Sequence, residues 1–218
     1  MDSESAAAWT AFLGDLEERG LRAENGLVEI ISDGGSGLLV ALDIVHFGVR
    51  VRHQRCLFHV LRNVRDAVPL PRGGKDGPQR KAAQATRRAV VQAAAAIYDA
   101  PDEAGVREGY AAFVATWQAS QPKAVAVLEG VFEATLPYLR VQEEARARGQ
   151  CCEVRYLRTT SALERLNRRI RRMARAVTIF HSQEGLDSRL WLLLGSAGAL
   201  LTPGDDWQEV VELALSAA

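Results

Sequence analysis

Leu27-Val28-Glu29-Ile30-Ile31-Ser32, followed by Asp33-Gly34-Gly35, is the stretch on which the fold turns. Its apolar run is short and rich in β-branched residues, and a glycine pair breaks it, so the spacing predicts a buried strand. An acid at the carboxyl edge of such a strand stands where mixed α/β sheets place ligand sites. The plainer alternative is that Asp33 caps the turn into the next helix, expected over Leu38 to Val45.

On the amino-terminal side, Trp9, Phe12, Leu13 and Leu16 follow helical spacing. Asp2 or Ser3 is the expected cap, and Gly20 the stop. On the other side, Val49-Arg50-Val51-Arg52-His53 alternates as a half-buried strand does. A helix is expected from Leu57, with Leu57, Val60, Leu61 and Val64 as its stripe and Pro69 and Pro71 beyond its end. Pro71 to Gln79 reads as a loop. Three Ala-rich helical stretches follow, over roughly 79–99, 102–119 and 122–147, with Pro101 and Pro122 near the starts of the last two. Leu163, Leu166, Ile170, Met173 and Val177 then recur at spacings of three and four, which predicts a further helix. Two more are expected over about 183–194 and 205–215.

Composition sets bounds without naming a function. A chain of 218 residues with 48% hydrophobic content can bury a real core. Its formal net charge is zero, so the location of charge matters more than its total. Three cysteines, Cys56, Cys151 and Cys152, two of them adjacent, do not make a secreted disulfide framework. The opening Met1-Asp2-Ser3-Glu4-Ser5 is polar and unlike a signal peptide. The apolar residues from Leu190 to Leu201 are interrupted by Gly195, Ser196 and Gly198, too short a run to span a bilayer. No membrane association is expected, and the compartment reads as cytoplasmic.

Two further groups could carry chemistry. Cys56-Leu57-Phe58-His59 has the spacing of half a zinc site. Closing it would require Cys151 and Cys152, with His53 or His181 as further donors, far along the chain. The plainer alternative is a buried Cys and a packed His. The second group is Arg158-Thr159-Thr160-Ser161-Ala162-Leu163-Glu164-Arg165-Leu166-Asn167-Arg168-Arg169-Ile170-Arg171-Arg172-Met173-Ala174-Arg175. On a helix, Glu164, Arg168, Arg171 and Arg175 share the face opposite the apolar stripe, flanked by Arg165, Arg169 and Arg172. Guanidinium groups stay charged and pair bidentately with phosphate, so this face suits nucleic acid. Ser161 and Glu164 also fit a capping box, which would account for the acid by itself.

Ile30 to Gly34, Gln54 to Asn63 and Thr159 to Arg168, in that order and at these separations, resemble the Mutator-type insertion-sequence transposases of bacteria. The resemblance runs from near residue 3 to near residue 195. It implies an α/β, mostly helical fold: a partial ribonuclease-H-like core over 1–70, an all-helical insertion over 71–150, and carboxyl-terminal core helices with Glu164 over 151–218. It implies an Asp, Asp, Glu catalytic set, with the second acid at Asp33 and the third at Glu164, both also metal ligands for Mg²⁺ or Mn²⁺. Cys56, His59 and Asn167 match supporting motif positions, and Arg165, Arg168, Arg169, Arg171, Arg172 and Arg175 are the expected DNA contacts.

The family's first Asp lies on a strand upstream of two others, whereas Ser3 to Leu21 already resembles the helix that follows them. Asp2 and Asp15 stand in the wrong context to replace it. The expectation is therefore a truncated copy, weakly active or inactive, that binds DNA at transposon ends and target, self-associates and is nucleoid-associated. Two other functions stay open: a non-catalytic fragment that binds DNA or an intact transposase, and a helical protein with structural zinc at Cys56, His59, Cys151 and Cys152.

Overall fold

The computed structural model describes residues 5–48, 51–71, 77–150, 157–177, 182–195 and 207–216. The first helix, α1 (Ala6–Glu18), is capped by Ser5, whose hydroxyl accepts from the Ala8 N–H at 3.2 Å. The expected caps, Asp2 and Ser3, lie outside the described residues. Gly20, at φ +100°, ends the helix in the left-handed region that glycine enters without strain.

Strand β1 (Glu29–Ser32) and strand β2 (Arg52–Arg55) pair in parallel, Glu29 opposite Arg52 and Ser32 opposite Arg55. Helix α2 (Ser36–Ile44) makes the crossover between them, as parallel neighbours require. Strand β2 lies later than the alternation of Val49 to His53 predicts, and Val49 and Arg50 fall outside the described residues. It is a strand of polar residues, Arg-His-Gln-Arg, held by its partner and by what covers its faces. On one side, Leu13, Ala41, Val45 and Phe47 form a small core between α1 and α2, with Ile30 and Val51 packed on it.

On the other side lies the helical block. Helix α3 (Leu57–Ala67) buries the expected stripe of Leu57, Val60, Leu61 and Val64. Helices α4 (Pro78–Ala96) and α5 (Glu103–Trp117) match their expected stretches, α4 ending in a 3-10 turn over Ile97–Asp99. The stretch expected as one helix over 122–147 is two: α6 (Pro122–Glu129) and α7 (Pro137–Ala147), separated by a 3-10 turn at Glu133–Thr135. Pro137 starts the second of them: it has no N–H to give a continuing helix and stands in the first turn of α7, where none is needed. Helices α3 to α7 share one core, in which Tyr98, Tyr138, Val90 and Leu128 are fully enclosed.

Gln54 joins this block to the sheet. Its side-chain N–H₂ donates to the Thr135 carbonyl at 3.1 Å and to the Arg55 carbonyl at 2.8 Å, and its carbonyl accepts from the Tyr138 N–H at 3.1 Å. A buried amide with its capacity met in this way ties two elements in one register.

Among the described residues the chain continues with α8 (Ser161–Val177), α9 (Gln183–Gly195) and α10 (Trp207–Ser216). Helix α10 returns to α3 and α4, burying Val211 and Ala214. Helix α8 carries the expected stripe. Leu166 alone among the stripe residues is buried, and Leu163 is 53% exposed. Trp191 and Leu192 on α9 are 73% and 65% exposed. Among the described residues, no other element is packed along these two helices to cover them. The chain is thus α/β and mostly helical, with a two-stranded sheet. No helix among the described residues is long and apolar enough to cross a membrane.

Candidate functional site

The parallel pairing brings the ends of β1 and β2 to one edge. The Cys56 N–H donates to the Ser32 carbonyl at 2.8 Å, so Asp33 and Cys56 leave neighbouring strands side by side. Asp33 is exposed. One of its carboxylate oxygens accepts from the Gly35 N–H at 3.1 Å, while helix α2 has no side-chain cap. The capping alternative therefore holds only as a turn bond, and the second oxygen points to no donor among the described residues.

The turn itself is braced. Gly34 has φ +81°, and a Cβ there would lie 1.8 Å from the guanidinium carbon of Arg55. That close approach lets Arg55 donate to the Asp33 carbonyl at 3.1 Å. The Ser32 hydroxyl accepts from the Gly34 N–H at 3.2 Å and lies 2.6 Å from His53 Nε2. Burial, and then the nearby Arg55 charge, lower the pKa of His53, so its Nε2 is the natural acceptor of the Ser32 proton.

Glu164 comes to the β2–α3 turn from far along the chain. The Thr160 carbonyl accepts the first intrahelical bond, from the Glu164 N–H at 3.0 Å, which makes Thr160 the cap of α8. Helix α8 therefore starts one residue too early for Ser161 and Glu164 to form the capping box. Thr160 instead clasps α8 to the β2–α3 turn. Its N–H donates to Cys56 Sγ at 3.3 Å, and its hydroxyl lies 3.4 Å from the same sulfur and 3.3 Å from Glu164 Oε1. His59 Nε2 is 3.5 Å from that same carboxylate oxygen.

Burial pushes the Cys56 thiol up, but the polar contacts of His59 and Thr160 outweigh it and hold it below its ordinary range. The Cys56 sulfur raises the His59 imidazole against burial, and Glu164 adds to the rise. His59 Nδ1 is buried without a well-directed partner, so the ring acts on the sulfur as a close neighbour more than as a full hydrogen bond. The result is a buried sulfur that accepts, a cation-leaning imidazole and a half-exposed carboxylate in sequence.

Thr160 is the residue that the sequence reading passed over. It lies inside the quoted motif, but its bond to Cys56 spans 104 positions and leaves no local signal. Arg168, Arg169, Arg171, Arg172 and Arg175 are exposed, and among the described residues none of them is in an ion pair. Arg165 is half-buried, and Asn167 is exposed, its carbonyl accepting from Arg171 Nε at 3.4 Å. Cys151, Cys152 and His181, the donors a zinc site would need, lie outside the described residues. Among the described residues no three His, Cys, Asp or Glu side chains cluster closely enough to hold a metal ion.

Comparison with known proteins gives the class. The model of the transposase Mutator family matches residues 1–199, and the chain belongs to that family. It is 30% identical over 181 residues to the transposase for insertion sequence element ISRM5 of Rhizobium meliloti, covering 83% of this chain and 39% of that relative. It is 31% identical over 204 residues to the IS406 transposase of Burkholderia multivorans, covering 94% and 44%. It is 30% identical over 206 residues to the IS256 transposase of transposon Tn4001 in Staphylococcus aureus, again covering 94% and 44%. The chain spans less than half the length of these relatives.

Proposed function

We propose that this chain forms part of the catalytic core of a DNA transposase, with Asp33 and Glu164 as two acids of a ribonuclease-H-like Asp, Asp, Glu site. The observation that supports this is the contact of Thr160 with Cys56, the residue that follows β2, which brings the Thr160–Glu164 turn to the β2–α3 junction. In domain terms, 1–70 and 151–218 supply the core and 71–150 the helical insertion.

The donor chemistry fits Mg²⁺ or Mn²⁺ in part. Both groups are carboxylates, and each keeps one oxygen with no partner among the described residues. Mg²⁺ binds through one or two carboxylates and retains its waters. Two such ions about 3.5–4 Å apart would activate a nucleophile and steady the leaving oxygen of an in-line displacement on DNA. A site of that kind needs a further bridging acid, and no three His, Cys, Asp or Glu side chains cluster to hold an ion among the described residues. This chain's own contribution is to hold two carboxylates and to offer the α8 arginines to the DNA backbone at transposon ends and target. Association with the nucleoid would follow from that charge.

The expected outcome in a nicking assay on supercoiled DNA with Mg²⁺ or Mn²⁺ is cleavage close to background from this chain alone. Removing a ligand from a two-metal site costs orders of magnitude in rate. Robust metal-dependent cleavage that Asp33→Ala abolishes would contradict the weak activity, and robust cleavage indifferent to Asp33→Ala and Glu164→Ala would contradict the site itself. A second function is favoured by Arg168, Arg169, Arg171, Arg172 and Arg175, which are exposed and in no ion pair among the described residues: a non-catalytic DNA- or transposase-binding fragment. It predicts salt-dependent DNA binding unaffected by removal of either acid.

A further inference from the structure

A cavity of about 580 Å³ lies where the far end of α3, the first half of α4 and the last turn of α10 meet. It is separate from the acid edge, because Arg65 stands nine residues along from Cys56, roughly 14 Å of helix rise. Among the described residues its lining carries Arg65, Arg80, Arg87 and Arg88, with Asp66 as the one acid. Leu70, Ala85 and Leu215 give it apolar walls.

Two of the four guanidinium groups are committed. Arg65, which is buried, pairs with Asp66 at 2.9 Å and donates to the Ala214 carbonyl at 2.7 Å. Arg88 pairs with Glu212 at 2.6 Å. The other two have no carboxylate among the described residues. Arg87 spends its Nε on the Val68 carbonyl at 2.7 Å, at the end of α3. Arg80 makes no hydrogen bond or ion pair there, and its Nε is buried. Arg87 is also lowered in pKa, first by burial and then by the Arg65 and Arg80 charges, with Asp66 opposing. The guanidinium remains protonated, so the cavity holds like charges in proximity.

We propose that this cavity is a phosphate-binding site, with Arg80 and Arg87 as the two free cations that engage the anion. Guanidinium forks match phosphate oxygens bidentately, and the cavity's size is that of an ordinary ligand pocket. The phosphate could be carried by a DNA strand or by a free phosphorylated compound, and the chemistry of recognition is shared. In the DNA case the site lies on a face other than the acid edge. It would hold a second stretch of backbone while α8 holds the first.

The test is calorimetric titration of the whole chain with inorganic phosphate and, separately, with a short DNA duplex over a series of salt concentrations. Three variants are compared with the parent: Arg80→Gln, Arg80→Gln/Arg87→Gln, and Arg168→Gln/Arg171→Gln. Arg80→Gln removes a charge without removing a hydrogen bond, so it keeps the test meaningful even if the double variant unfolds. Phosphate binding is expected to weaken severalfold in Arg80→Gln, to vanish in Arg80→Gln/Arg87→Gln and to persist in Arg168→Gln/Arg171→Gln. If a strand is the source, the slope of log affinity against log salt also becomes shallower by about two in Arg80→Gln/Arg87→Gln. A phosphate effect with no duplex effect supports the site and assigns it to free compounds. If Arg80→Gln binds phosphate and duplex as the parent does, the site is overturned. Loss of duplex binding confined to Arg168→Gln/Arg171→Gln, with phosphate binding unchanged in Arg80→Gln and in Arg80→Gln/Arg87→Gln, likewise overturns it and leaves the transposase function standing.

Discussion

Glu29 carries its carboxyl group into a half-buried place on β1 where neither oxygen finds a hydrogen-bond partner. Arg52 stands opposite it in the sheet and lowers its pKa, but Arg52 is itself paired with Glu144, and burial dominates. The carboxyl is pushed up from 4.5 to about 8. A folded-state pKa above the unfolded one means that the native chain holds a proton which the unfolded chain has released. That contribution is fully present below about pH 4.5 and is lost as pH rises through about 8. Thermal unfolding measured from pH 5 to pH 8 is therefore expected to show falling stability. Glu29→Gln, which mimics the protonated form, should flatten that trend. An unchanged slope in Glu29→Gln would place the titration elsewhere. Nothing in the sequence announced this residue, because a Glu in an apolar run looks like a solvent-facing position. By contrast, the turn at Asp33, Gly34 and Gly35 was legible, since its glycines mark where backbone must bend or be approached closely. Thr160 and Gln54 were not, because their meaning lies in partners about a hundred positions away.

At the scale of elements, periodicity identified what locally ordered chains can show. The α3 stripe and the extent of α8 follow from spacings of three and four residues. The break between α6 and α7 had a signal, Pro137, that the Ala-rich helical pattern masked. Strand β2 had almost none. Arg52-His53-Gln54-Arg55 is extended because β1 and the helical block hold it, a case of tertiary context overriding propensity. The joint that holds it is testable. Gln54→Ala leaves the Thr135 carbonyl and the Tyr138 N–H buried and unmet, at a cost of about 1–3 kcal/mol for each group. Chemical denaturation should show a loss of that order, with the sheet losing amide-exchange protection before α4 and α5. A loss below about 0.5 kcal/mol, the range of an ordinary surface substitution, would contradict the role given to Gln54.

For the whole molecule, the sheet ends at two strands and so leaves two edges without a strand partner among the described residues. The exposed Trp191, Leu192 and Leu163 add apolar surface of the kind that soluble chains cover by association. Light scattering on the purified chain is expected to show self-association that grows with concentration. A monodisperse monomer at high concentration would contradict it. The sequence marked α8 by its apolar stripe, of which the structure buries Leu166, half-buries Ile170, Met173 and Val177, and leaves Leu163 exposed. Spacing reveals that a face is apolar but not what lies against it. The account as a whole depends on Asp33 and Glu164 serving one cation. Fe²⁺ in place of Mg²⁺, with ascorbate and peroxide, cuts a polypeptide next to the bound ion, and mass spectrometry locates the cuts. The account predicts backbone cleavage near both 33 and 164, with either Asp33→Ala or Glu164→Ala suppressing both cuts together. Cuts at one position that ignore loss of the other acid, or none at either, would contradict it.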